Sequence, residues 1–211
     1  MDKQKISKAV SEALQSKGSR KFRQSVELII NFRGIDFSKP EHRLNLDVTL
    51  PHGRGKEPKI AVFADGEVAV RAKSDGFEVI DGKDIPALAQ DKKRMQTYVK
   101  EYEFLSQPSL MTVVGKHLGQ VLSKRGKLPM PLMNMQPAQA AQIVKKRVKI
   151  ATKGKQLPVA QCLIGKEDME PQALAENANA VLEKILGKIP GHNIKSVYLK
   201  LTMGKPVAIQ R

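Results

Sequence analysis

RLNLDVTLPHGRGKEPKIAVFADG, residues 43–66, contains two strands of different style. In the first, Leu44, Leu46, Val48 and Leu50 alternate with Asn45, Asp47 and Thr49. One polar and one apolar face is the pattern of an antiparallel strand that covers a core on one side only. The second, Lys59–Ala64, is apolar on both faces, as in a parallel strand buried between helices. Pro51 and Gly53-Arg54-Gly55-Lys56 separate the two, and this sets a domain boundary at residue 57.

Upstream, Ile6, Ala9, Val10, Ala13 and Leu14 form one helical stripe. Val26, Leu28, Ile30 and Phe32 then alternate with polar residues as a strand, and the linker Gly34–Arg43 can close a long hairpin to the strand at 44–50. Downstream of residue 59 the style stays that of α/β: helix 67–74, strand 77–80, helix 85–101, strand 104–105, and a helix 110–122 with Val114, His117, Leu118 and Val121 on one side. Gly126–Pro137, with three prolines, reads as a loop, and 138–147 as a helix. The last segment returns to the first style. Strands at 148–152 and 159–164 precede a helix opened by Pro171, with Leu174, Val181, Leu182, Ile185 and Leu186 inward. A final strand carries Ile194, Val197, Leu199 and Leu201. The expected fold is therefore an α+β split domain formed by both termini (1–57 and 148–211), with an inserted Rossmann-like α/β domain of parallel sheet at 58–147. The crossings near Gly53–Pro58 and 147–155 are expected to act as a hinge.

The 211 residues include 37 lysines and arginines against 21 acids, a formal charge of +16. The excess is spread evenly: 12 basic and 7 acidic residues in 1–57, 15 and 9 in 58–147, 10 and 5 in 148–211. No basic tail accounts for it, so folded surfaces carry it, and the expected partner is a polyanion, nucleic acid first. The longest apolar run, Ile60–Ala64, is five residues, too short to span a membrane. One cysteine, Cys162, and four scattered histidines provide neither an internal disulfide nor a zinc site. No secretory signal is legible, and a cytoplasmic setting is expected.

No catalytic constellation stands out. Gly53–Lys56 lacks P-loop spacing and has Glu57 where a metal-binding hydroxyl belongs, so it reads as a flexible basic linker. The Asp-Gly pairs at 65, 75 and 81 read as turns. The strongest pattern is Ser196–Gly204 (SVYLKLTMG). Its even positions 196, 198, 200 and 202 leave the apolar line and place two hydroxyls, a phenol and an ammonium in a row about 7 Å apart. Such a row suits phosphate and ribose 2′-OH groups, and it equally suits a solvated sheet face built for strand propensity. Lys21-Phe22 after the first helix is a weaker signal, since an isolated Phe there is more often a core residue than a stacking platform.

SVYLKLTMG, KFRQSVEL at 21–28, LPHGRGK at 50–56 and GKLPMP at 126–131 together resemble the "L-one" family of large-subunit ribosomal proteins, the side-stalk proteins, from end to end. The loop Ser123–Pro131 is similar to archaeal and eukaryotic members rather than to the GPRGLLPNP-like loop of bacterial ones. The resemblance implies a non-enzymatic, monomeric protein without cofactor, metal or membrane attachment. Its split domain would bind a looped helix of large-subunit ribosomal RNA and a similar structure in the leader or coding region of its own mRNA, repressing translation. Its inserted domain would make weaker contacts with RNA and face deacylated tRNA leaving the exit site. Carried over by motif, the RNA-binding residues are Lys21, Phe22, Ser25, Glu27, Lys166 of the Gly165-Lys166 turn, Ser196, Thr202, Met203 and Gly204. The competing reading is a nucleotide-dependent α/β enzyme acting on nucleic acid. It needs a glycine-rich phosphate turn after strand 59–64, where Ala64-Asp65-Gly66-Glu67 is a poor one.

Overall fold

The computed structural model describes residues 3–133, 135–152 and 157–209. In chain order the elements open with α1 (Lys3–Gln15), β1 (Ser25–Phe32) and β2 (Asn45–Thr49). Then come β3 (Lys59–Phe63), α2 (Gly66–Ser74), β4 (Glu78–Ile80), α3 (Ile85–Gln90), α4 (Lys92–Glu101), β5 (Tyr102–Ser106), α5 (Met111–Arg125), β6 (Met130–Pro131) and α6 (Pro137–Lys146). The chain closes with β7 (Arg147–Ala151), β8 (Val159–Lys166), α7 (Pro171–Leu186), β9 (Ile194–Leu201) and β10 (Val207–Ile209). These pack as two compact units, Met1–Lys56 with Lys146–Arg211, and Glu57–Lys145.

In the first unit β1 lies inside a four-stranded antiparallel sheet ordered β10-β9-β1-β8. The alternation of β1 is what places it there. Val26, Leu28, Ile30 and Phe32 point into one core with Val197, Leu199 and Leu201, closed by α1 (Ile6, Val10, Ala13) and α7 (Leu174, Val181, Ile185). Each such side chain contributes about 1.5–3 kcal/mol on burial. Leu186, on the inward stripe by spacing, is partly exposed at the helix end.

The hairpin between β1 and β2 does not form. β2 pairs instead with β7, Asn45 opposite Ala151 and Thr49 opposite Arg147. Gly34–Arg43 is not a free loop: Phe37 is buried, its ring 5.2 Å from that of Phe32, and Pro40–His42 is a 3₁₀ turn. This anchored connection carries the chain away from β1. The same ladder makes residues 147–151 of the second crossing a paired strand; residues 153–155 of that crossing lie outside the described ones. The start of Gly53–Lys56 is anchored to the first unit. Asn177, fully buried on α7, accepts from the His52 backbone N–H (3.0 Å) and donates to the carbonyls of Gly53 (3.0 Å) and Ile164 (2.8 Å). Gly53 and Gly55 have φ of +71° and +70°, and a Cβ at Gly55 would stand 3.0 Å from the Lys166 side chain.

The second unit is the parallel sheet of an α/β fold, ordered β4-β3-β5-β6. Both faces are covered. Ala61, Phe63 and Phe104 meet residues of α3, α4 and α5, while Ile60, Val62 and Leu105 meet Ala69, Ala72, Ala141 and Val144. This is why Ile60–Ala64 is apolar throughout. The 85–101 helix is broken at Asp91, whose carboxylate accepts from the Arg94 N–H (3.0 Å) and caps α4. Within 126–137, Met130–Pro131 adds a short strand to β5. On α5 the buried stripe is Val114, Leu118 and Leu122; His117 and Val121 face outward. The helix runs on to Arg125 and ends at Gly126 in the left-handed region (φ +69°), which glycine adopts without strain.

Candidate nucleic-acid interface

With α1 and α7 on one face of the four-stranded sheet, the polar positions of its strands share the other. β1 contributes Ser25, Glu27, Ile29 and Asn31; β9 contributes Ser196, Tyr198 and Lys200. The ladder sets Glu27 opposite Lys200, Ile29 opposite Tyr198, and Asn31 opposite Ser196. On the other side, Ser25 faces Lys166 and Glu27 faces Leu163. A bulge between these pairs keeps Lys166 on the open face although the fully buried Ile164 has the same parity. Lys166 therefore ends strand β8 rather than lying in a turn, and its Nζ donates to Ser25 Oγ at 2.8 Å. Gly165 beside it is held by packing: a Cβ there would stand 2.4 Å from a Leu174 methyl.

Most of the sequence-derived residues gather where β1 begins and β8 and β9 end. Thr202 stands in the turn after β9, not in the strand row. Its N–H donates to Ser25 O (3.0 Å) and its Oγ1 accepts from Ser25 N–H (3.1 Å). Met203 N–H donates to Gln24 Oε1 (3.0 Å). Gly204 N–H donates to Leu201 O (3.0 Å), and a Cβ on Gly204 would press on Leu201 Cβ at 3.0 Å. Phe22 is 52% exposed and Met203 60%. Lys21 is exposed and Glu27 half-buried one step inward. Ser196 is not part of this group. It hydrogen-bonds Asn31 Nδ2 (3.0 Å) at the far end of the same face, six β1 residues from Ser25, or about 20 Å at strand rise.

Sequence reasoning missed the residue that organises this end. Gln24, 1% exposed, donates through Nε2 to Lys17 O (2.8 Å) and Glu167 Oε2 (3.2 Å) while Oε1 receives Met203 N–H. It precedes the alternating run, so no periodicity marks it. Arg23 was missed too. Its guanidinium is paired with Asp168 and holds that carboxyl below the usual range. Lys17, Arg20, Lys21, Arg23 and Lys205 are all exposed on the segments around Gln24 and Met203. Two exposed large apolar side chains within a basic rim offer stacking surface and phosphate attraction together.

Elsewhere the chemistry points away from catalysis. Burial pushes the Cys162 thiol up to about 12, so it is no nucleophile. At the end of β3, Asp65 stands before α2 and its carboxylate accepts from Gly82 N–H (2.8 Å). A nucleotide phosphate there would meet a carboxylate instead of a glycine turn. Among the described residues no group of three or more His, Cys, Asp or Glu is placed to hold a metal, and no helix is long and apolar enough to cross a membrane.

Residues 11–205 match the family described as ribosomal protein L1p/L10e. The chain belongs to that family. It is 44% identical to the large ribosomal subunit protein uL1 of Thermococcus kodakarensis, the match covering 100% of this chain and 99% of the relative. It is 42% identical to the protein of the same name from Methanothermococcus thermolithotrophicus, over 100% of both, and 42% to that of Pyrococcus horikoshii, over 99% and 97%. These archaeal relatives agree with the loop at 123–131. Membership makes this a ribosomal protein and not an enzyme.

Proposed function

We propose that the chain works in the cytoplasmic ribosome by binding large-subunit ribosomal RNA at the side stalk through the open sheet face of its split domain. The observation that carries this is the row Lys166–Ser25–Thr202, flanked by exposed Phe22 and Met203. The row is preorganised by its own hydrogen bonds, and the two apolar side chains have no core to serve. Lysines and arginines supply salt-dependent attraction to phosphate, the hydroxyls meet 2′-OH groups, and Phe22 takes a base face. Ser196, about 20 Å along the same face, extends the contact to a second point of a bent RNA. The same face binds the related structure in the chain's own mRNA, repressing translation. The inserted unit meets deacylated tRNA and promotes its release from the exit site. The free protein is a monomer.

Ultraviolet crosslinking in cells, with sequencing of the RNA and mapping of the peptides, tests this. The expected result is stalk RNA and the chain's own message joined to peptides holding Phe22 and Met203. Crosslinks confined to the α1 and α7 side, or to RNA unrelated to the ribosome, would overturn it.

A further inference from the structure

β4 is the outer strand of the parallel sheet, and among the described residues no strand continues the order beyond it. Its register with β3 decides which backbone groups are spare. Ile80 lies opposite Phe63, and its carbonyl receives the Ala64 N–H (3.3 Å), so Glu78 and Ile80 turn their N–H and C=O groups to β3. By alternation those of Val79 point out of the sheet. An open edge of this kind is a template for a further strand.

A groove of about 340 Å³ follows this edge, and its lining includes Val79, Ile80, Asp84, Asp91, Arg94 and Tyr98. Val79 packs with the apolar cluster of α2 and α6, whereas Ile80 belongs to that of α3, α4 and α5. A groove that touches both lies along the strand edge, not on one face of the sheet.

Charge indicates what fits there. Residues 65–91 carry seven acids and three bases in a chain of net +16. Among the described residues only Glu67 of those seven acids is in an ion pair, with Arg71. Asp84 and Asp91 line the groove, and Glu78 stands beside it, where its Oε1 receives the Tyr98 hydroxyl (2.7 Å). Arg94 is the one cation of the lining, and its guanidinium lies over the Tyr98 ring at 5.6 Å. Three carboxylates against one cation repel phosphate and attract ammonium and guanidinium groups.

We infer that the β4 edge is a docking site for an extended segment of another protein that carries lysine or arginine at alternate positions. The segment adds as a strand: its backbone pairs with Val79, and every second side chain reaches the side of α3 and α4, where the carboxylates stand. Three residues of β4 span about 10 Å, so the contact is short and sensitive to salt. Neither the site nor its occupant depends on the RNA-binding face proposed for the other unit.

The test uses the full chain with two end-blocked eight-residue peptides, alternating threonine–lysine and threonine–glutamate. E78Q/D84N/D91N keeps the side-chain shapes, leaves an acceptor for Tyr98 and leaves asparagine to cap α4. E41Q/E67Q/D75N removes three exposed acids outside the groove. V79P deletes an outward N–H, a position where an edge strand tolerates proline. Melting confirms that each is folded; should V79P not fold, hydrogen exchange at the Val79 amide of the parent reads the same backbone contact.

The lysine peptide is expected to bind the parent despite the net charge of +16, to weaken with salt, and to slow exchange at Val79. E78Q/D84N/D91N should bind it about 30-fold more weakly, at roughly threefold per exposed pair, and the control triple about as the parent does. V79P should lose binding. Absent binding of the lysine peptide, equal weakening in the two triple variants, V79P binding like the parent, or equally tight binding of the glutamate peptide overturns the inference. A parent dimer in sedimentation that V79P abolishes also overturns it, because a second copy then occupies the edge.

Discussion

Phe22→Ala separates a stacking platform from a core residue. At 52% exposure the ring is absent from the core formed by β1, β9, α1 and α7 and from the side chains packed against it. Its truncation should therefore cost folding less than about 1 kcal/mol, under about 4 °C of melting temperature. A base stacked on the ring is worth about 1–3 kcal/mol by alanine substitution, which is roughly five- to 150-fold in Kd. The ring carries no charge, so the salt slope of stalk-RNA binding should stay parental while the whole curve shifts to weaker affinity. Phe22→Tyr should hold affinity, and Phe22→Leu should lose most of what Phe22→Ala loses. Fluorescence anisotropy at three salt concentrations, with melting curves in parallel, reads all of this. Alanine binding within twofold of the parent, or a melting loss near 10 °C, would refute the reasoning and return Phe22 to the core.

Asn177→Leu should be the most damaging single change in the first unit. It strands the His52 N–H and the carbonyls of Gly53 and Ile164; at about 1–3 kcal/mol for a buried unsatisfied group, a loss of roughly 3 kcal/mol or about 10 °C by calorimetry is expected. Arg23→Gln should return the Asp168 carboxyl to its ordinary range, seen by carbon-detected titration. A folded-state pKa held down by Arg23 stabilises above the unfolded value and loses that contribution as pH falls through the folded value. The parent's small advantage over the variant should therefore be full at neutral pH, shrink once pH drops past the ordinary carboxylate value of 3.8, and vanish below the lowered folded value. An unshifted Asp168 titration would sever the pair.

What could be read from the sequence was whatever depends on parity. Val26–Phe32 and Val197–Leu201 alternate because one sheet face is dry, so the open face carrying Ser25, Glu27, Ser196 and Lys200 was legible before any coordinate. The unbroken apolar run at 60–64 likewise announced helices on both sides. Partner choice was not legible, since β2 meets β7 across about a hundred residues of chain and nothing local distinguishes that from a hairpin to β1. Exceptions to parity were hidden for the same reason. The bulge that brings Lys166 to Ser25 is a property of two strands together. Asn177 looks like one more polar helix residue until the loop it holds is in place, and Asp91 caps α4 inside a stretch whose apolar spacing continues past it.

Thr202 shows why a paired hydroxyl can still serve RNA. Its oxygen accepts from Ser25 N–H at 3.1 Å, which fixes the side chain but uses only a lone pair. Its hydrogen has the Ser25 carbonyl at 3.4 Å, a poor acceptor distance, and that oxygen already receives Thr202 N–H at 3.0 Å. The proton is therefore free to turn toward a phosphate or 2′-oxygen. Thr202→Val keeps the branched shape and removes both roles; Thr202→Ser keeps both and loses only a methyl. The lost bond to Ser25 lies at an exposed end, where water replaces the partner, so folding should fall by about 0.5–1.5 kcal/mol in the valine variant. Affinity for stalk RNA should fall further, by about 1–3 kcal/mol, roughly five- to 150-fold, because the RNA oxygen is left unpaired in a dried interface. Serine should bind within a few-fold of the parent. If valine and serine bind alike while both stay folded, the hydroxyl serves only Ser25, and this turn is structural closure of the sheet.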